Sequence, residues 1–182
     1  MNKLVFVIIA LLTFIVFSCQ QQPKVNEKET IVNRIDTLEY QIYESGDKLL
    51  DDKKPTEVSV LYKKYATLYP NDSISFSYMF KAAQVELGLG EPLIAIHTLD
   101  SIITMFPENK LIPNVLQFKA YIYDDRLDRV TKASETLDII INDYPDCEII
   151  ENVKAYKASL GKSPEEIILE MEAKQKQEET AK

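Results

Sequence analysis

Apolar residues follow two patterns along the chain. From Leu4 to Phe17 they run almost without interruption, whereas from residue 28 onward they recur every three or four positions between polar residues. The first run is 14 residues long. At about 1.5 Å per residue it reaches about 21 Å, short of a hydrocarbon core of about 30 Å. Lys3 before it and the small Ser18 after it give the charged, apolar and small-residue regions of a secretory signal. In the second pattern Ile31, Ile35, Leu38, Ile42 and Leu49 share one helical face. From there to Gly161 the pattern predicts helix, loop, helix throughout.

Three segments end alike: VSVLYKKYATLYP (58–70), AIHTLDSIITMFP (95–107) and ASETLDIIINDYP (133–145). Counting back from Pro70, Pro107 and Pro145, the twelfth residue is Val58, Ala95 or Ala133. The eighth is Tyr62, Leu99 or Leu137, and the fifth is Tyr65, Ile102 or Ile140. This spacing keeps one stripe on one side of a helix. The closing proline then stops it, because the residue before proline avoids helical geometry and proline has no N–H to continue the ladder. Small residues, Gly46 and Ala83, stand 24 positions before their prolines, where they let two antiparallel helices approach closely.

The helix-turn-helix unit with a small residue in its first helix, an alanine opening the second and a proline at its end resembles the tetratricopeptide repeat. FKAAQVELGLGEPLIAIHTLDSIITMFP (80–107) is the best copy. The resemblance implies an all-α fold, a helical solenoid of three repeats plus a degenerate fourth or capping unit. Three positions depart from the family pattern. Glu86 stands where a tyrosine is usual, Tyr121 where the third copy should have a small residue, and Asp128 in the place of the turn glycine, Gly90. The prolines recur after 37 and then 38 residues, and the extra residues are expected in the loops after Pro70 and Pro107, where insertion costs little. Past Pro145, Ser163 and Glu166 have capping-box spacing with Pro164 at the first helical position.

Composition agrees. Only four glycines and no tryptophan among 182 residues, with abundant Leu, Ile, Ala, Lys and Glu, favour helices over strands. The length suits one domain. A net charge of −8, with the acids scattered, makes nucleic acid a poor partner.

The tetrapeptide Val16-Phe17-Ser18-Cys19 resembles the lipobox of bacterial lipoproteins, with a bulkier Phe17 than is usual there. That resemblance implies cleavage after residue 18 and acylation of Cys19; the alternative is an uncleaved signal-anchor with an incidental cysteine. Two or three acyl chains, at about 0.8 kcal/mol per buried methylene, would hold the protein on a lipid bilayer. Cys147 is then the remaining thiol, expected half-buried and unpaired, so the fold rests on packing. The organisation expected is a signal peptide (1–18), a tether (19–27), a helical domain (28–172) and a polar disordered tail (173–182). Together these features look like the repeat lipoproteins of bacterial envelopes, including the helical-repeat component of the outer-membrane β-barrel assembly machinery and the coordinators of the Tol-Pal system. The expected location is the outer membrane, facing the periplasm.

Searches for catalytic chemistry give little. His97 is the lone histidine and sits where a solvated polar residue is expected, no phosphate-binding glycine loop occurs, and the acidic stretches YDDRLD and DYPDCE lack calcium-loop spacing. No cofactor, metal or catalytic residue is assigned. Two readings stand: a binding module for a protein or extended peptide of the envelope, or an envelope hydrolase or carbohydrate-binding lipoprotein whose carboxylate pair is hidden among 29 acids. For the first reading, the family resemblance places Tyr43, Phe80 and Phe118 on the inner groove, accompanied by Tyr40, Gln84 and Asp125. These aromatics are either core packing or exposed anchors, and both remain open at this stage.

Overall fold

The computed structural model of the protein describes residues 26–45 and 53–180. The signal sequence, Cys19, the tether up to residue 25, Gly46 and Leu49 lie outside them. Within the described residues the chain is all-helical and has no strand. Eight helices follow in order: α1 (Glu27–Ser45), α2 (Lys54–Leu68), α3 (Ser75–Gly88), α4 (Pro92–Met105), α5 (Ile112–Tyr121), α6 (Val130–Asp143), α7 (Ile150–Ser159) and α8 (Pro164–Thr180). A π-helical turn, Ile122–Arg126, extends α5. No described helix is long and apolar enough to cross a membrane.

Consecutive helices pack on one another from α1 to α7, as short loops require of antiparallel neighbours. The apolar stripe read from the sequence becomes the core. Ala95, Leu99 and Ile102 on α4 and Ala133, Leu137 and Ile140 on α6 are wholly buried, and Val58, Tyr62 and Tyr65 on α2 nearly so. One core cluster joins α1, α2 and α3 through Ile35, Leu38, Tyr62 and Ala82. The other runs from Ala66 and Ala83 to Val153. Helices α2 and α3 contribute to both, so the apolar interior continues along the stack.

Each aromatic-Pro ending builds the same turn. Tyr69, Phe106 and Tyr144 have φ/ψ of −130°/58°, −131°/50° and −132°/50°, extended enough to satisfy the following proline. Their N–H groups still donate to the carbonyls of Tyr65, Ile102 and Ile140. Three residues later Asp72 and Asn109 accept the N–H of Ile74 at 3.2 Å and of Leu111 at 2.9 Å, an Asx-turn into the next helix. Cys147 holds the corresponding place in the third turn, where it is half-buried and free.

The third unit corrects the expected register. Ala120, not Tyr121, occupies the small-residue slot: it is wholly buried like Ala83, while Tyr121 is displaced to the surface at 36% exposure. The extra residue of the 38-residue spacing also lies elsewhere than expected. The loops after Pro70 and Pro107 both lead into a helix five residues on, so neither is longer. Instead Glu91 N–H closes on the Glu86 carbonyl, five residues back, and the equivalent Arg129 N–H closes on Tyr123, six residues back. The added residue is taken up by the π turn. Asp128 adopts the left-handed φ of 52° that Gly90 adopts at 77°, a conformation Asp tolerates better than most side chains.

At the C-terminus the capping box forms as expected. Ser163 N–H donates to Glu166 Oε2 at 2.8 Å, and Glu166 N–H donates to Ser163 Oγ at 3.2 Å. The helix it starts does not give way to a disordered tail at residue 173 but continues to Thr180. The segment contains neither Gly nor Pro, and its Glu, Lys, Gln and Ala are good helix formers.

Candidate binding groove

Helices α3, α5 and α7 meet around an open depression of about 520 Å³ lined by Phe80, Asn114, Gln117, Phe118, Tyr121 and Tyr156. A second hollow of about 220 Å³ adjoins it, sharing Phe80 and Asn114 and completed by Phe76, Leu111 and Val115. The even-numbered helices contribute no lining residue to either.

Two of the residues expected in a groove come together here. The Phe80 and Phe118 rings lie 5.5 Å apart, and Tyr121 stacks on Phe118 at 6.3 Å with the planes 9° from parallel. Both phenylalanines are half-buried and pack against the core from one side. They are thus core and groove wall at once, which neither reading of them alone anticipated. Asp125 stands at the rim, exposed, accepting the Tyr121 hydroxyl at 3.0 Å and pairing with Arg126 at 3.1 Å. Tyr40, Tyr43 and Gln84 do not line the depression. Tyr43 is 82% exposed and Tyr40 66%, on α1 at the far side of α3, and Gln84 is exposed on α3.

Sequence reasoning missed Asn114, Gln117, Tyr121 and Tyr156 as lining residues. Tyr156 had a visible signal, since it lies 38 residues beyond Phe118, just as Phe118 lies 38 beyond Phe80. Tyr121 had none, because the π turn that expels it from the helix interface is a backbone event. The Tyr156 hydroxyl donates to Asp124 at 2.8 Å. Burial, reinforced by that carboxylate, pushes the phenol pKa up and keeps the proton on the oxygen. The stretch YDDRLD therefore serves this wall, with one aspartate on each tyrosine.

Away from the groove, two polar clusters tie the first helices together. Lys81 on α3 donates to Glu39 on α1 at 2.7 Å, and Tyr62 on α2 donates to the same oxygen. For Glu39 burial works against the carboxylate, but the hydrogen bonds from Lys81 and Tyr62 outweigh it and the pKa is lowered. Asp72 accepts Lys28, the Ile74 N–H and the Tyr65 hydroxyl. The Lys28 hydrogen bond, followed by those from Ile74 and Tyr65, brings its pKa down to about 2. Glu86, at the position where the family pattern has tyrosine, is 2% exposed and fully engaged. It accepts Ser59 at 3.1 Å, Thr98 at 2.6 Å and the Lys63 ammonium.

His97 is exposed on α4 beside Asp100, Ser101 and Thr104. Among the described residues no group of three or more His, Cys, Asp or Glu side chains is disposed to hold a metal ion. Comparison with protein-family models, with curated proteins and with solved structures produced no match.

Proposed function

We propose that the protein is a lipid-tethered binding module of the bacterial envelope, a tetratricopeptide-like solenoid that offers the face made by α3, α5 and α7 to a protein or extended peptide. The observation that carries the reading is the open aromatic depression where those three helices meet. Helical stacks use such faces for recognition, and half-exposed Phe and Tyr are the residue types that dominate interface energetics. The recurring turn geometry at Tyr69, Phe106 and Tyr144 supports the repeat reading, with three units and a fourth formed by α7 and α8. The VFSC sequence supports acylation at Cys19, and the tether then sets the module a short distance from the bilayer. An outer-membrane anchor with the body in the periplasm follows from the resemblance to envelope repeat lipoproteins, and a role in outer-membrane protein assembly fits the same setting.

The competing reading is a hydrolase or carbohydrate-binding lipoprotein. A pair of carboxyls held neutral inside a closed pocket would favour it. The two carboxyls here with clearly displaced pKa values, Glu39 and Asp72, are both pushed down, and no carboxylate lines the aromatic depression.

Gentle extraction from native membranes followed by mass spectrometry tests the proposal. The expected result is a mature N-terminus at an acylated Cys19, a stoichiometric envelope protein in the same fraction, and resistance to protease added to intact cells. A non-acylated N-terminus would end the tether reading. Recovery of the chain alone would end the module reading, and loss on shaving would overturn the periplasmic facing.

A further inference from the structure

The depression has a chemistry that selects among peptides. Its floor is the contacting rings of Phe80, Phe118 and Tyr121 with Tyr156 opposite, and the smaller hollow beside it is walled by Phe76, Leu111 and Val115. Because the two hollows share Phe80 and Asn114, they are immediate neighbours. In an extended peptide, residues i and i+2 point the same way and lie about 6.6 Å apart, so one strand can put two apolar side chains into adjacent hollows. The amides of Asn114 and Gln117 stand on the same wall, each with both donor and acceptor atoms, a match for the exposed backbone of such a strand.

The rim is acidic. Asp124 and Asp125 sit behind Tyr156 and Tyr121, balanced only by Arg126, which pairs with Asp125. The lysines of the lining helices are turned to other carboxylates: Lys81 to Glu39, Lys119 to Asp100 and Lys157 to Asp138. The chain as a whole carries −8. An acidic peptide or a free C-terminal carboxylate therefore meets repulsion at this rim, and a basic one is attracted.

Resting on the binding-module reading, we infer that the occupant is an extended peptide with two large apolar side chains separated by one residue and flanked by Lys or Arg. The π turn is what builds this site, since the inserted residue brings Tyr121 out of the helix interface onto the groove wall and places Asp124 and Asp125 behind the tyrosines. A regular α5 would bury a small residue there and leave the hollow without its third ring.

Fluorescence anisotropy with the purified full chain tests the inference, using three labelled decapeptides centred on Lys-Phe-Thr-Phe-Lys, Glu-Phe-Thr-Phe-Glu and Lys-Ala-Thr-Ala-Lys. The first should bind about thirtyfold more tightly than the alanine peptide, the scale of losing an interface anchor. It should also bind about fivefold more tightly than the glutamate peptide, the scale of exposed charge pairs. Asp125→Lys, at an exposed position, should reverse the flank preference with the thermal melt unchanged, and Tyr121→Ala should weaken the first peptide about tenfold. Equal binding of the phenylalanine and alanine peptides, or a flank preference that ignores Asp125→Lys, overturns the inference. If that happens while an envelope protein still co-purifies with the chain, the peptide chemistry proposed here is wrong and the module reading stands. If no protein co-purifies either, both fall.

Discussion

Replacing Glu86 by Gln changes one oxygen for one amino group at the most enclosed carboxylate among the described residues, and the consequences can be worked through contact by contact. Glu86 Oε1 accepts Ser59 and Lys63, and Oε2 accepts Thr98 at 2.6 Å. A glutamine can keep its oxygen toward Ser59 and Lys63 and turn its amino group to the Thr98 hydroxyl, which can accept. Its hydrogen bonds become neutral ones, each worth about 1 kcal/mol instead of the roughly 1.5–3 kcal/mol of a charged partner. Lys63 also loses its counter-charge. Full burial of an unpaired ion would cost about 3–5 kcal/mol, but the Lys63 side chain is 36% exposed and water recovers much of that. The expected net loss is about 2 kcal/mol, a fall in Tm of about 4–8 °C for a domain this size. Urea unfolding followed by far-UV circular dichroism should show a lower midpoint with an unchanged slope. Thr98→Val should cost less in the Glu86→Gln background than in the natural chain, because the two groups act through one bond. Glu86→Leu with Lys63→Met should recover most of the loss, since a packed apolar pair replaces a desolvated ionic one. A Glu86→Gln midpoint equivalent to less than about 0.5 kcal/mol of change, or strict additivity with Thr98→Val, would refute the account of this carboxylate.

The other perturbations are smaller in scope. Asp72 has its pKa lowered to about 2 from an ordinary 3.8. Its contribution is thus complete above about pH 4 and is lost as the pH falls toward 2, and Asp72→Asn should flatten that part of an acid-unfolding curve. Asp128→Gly relieves a left-handed φ of 52° and should raise stability by about 0.5–1 kcal/mol in the same urea assay. Ala120→Leu should destabilise by about 1–3 kcal/mol through overpacking at a wholly buried site, and Tyr121→Leu should be tolerated; the reverse order would restore the register expected from the sequence. Phe80→Ala, with one side against the core, should cost about 2 kcal/mol, less than a full core truncation, whereas Tyr43→Ala at 82% exposure should leave the melt within about 0.5 kcal/mol.

Much of the helical framework was legible because it is written in short-range chemistry. The apolar stripe on α2, α4 and α6 recurs at fixed distances from a proline, and proline acts on its immediate predecessor, so both the stripe and the turns at Tyr69, Phe106 and Tyr144 could be read directly. The Ser163–Glu166 box is similarly local. What escaped the sequence depends on backbone hydrogen bonding over a whole turn. Ala120 and Tyr121 are adjacent, and only the π turn after them decides which one faces α6. That choice shifts the first helix of the unit by one residue relative to its second, and it is why Tyr121 became a groove residue. Tyr43 fits the aromatic spacing as well as Phe118 does, yet lies away from the depression. Its position along the chain says nothing of how far α1 stands from α5. Asn114 and Gln117 carry no periodic signal at all, being polar residues on a polar face until a cavity forms beside them.

The central claim, that the face of α3, α5 and α7 is where a partner sits, is tested most directly by site-specific photo-crosslinking in living cells. A photo-reactive amino acid replaces Gln117 on the groove wall in one strain and His97 on the exposed side of α4 in another. The account predicts a discrete adduct with an envelope protein from position 117, weakened by Tyr121→Ala, and none from position 97. Adducts from position 97 with nothing at 117 would contradict it.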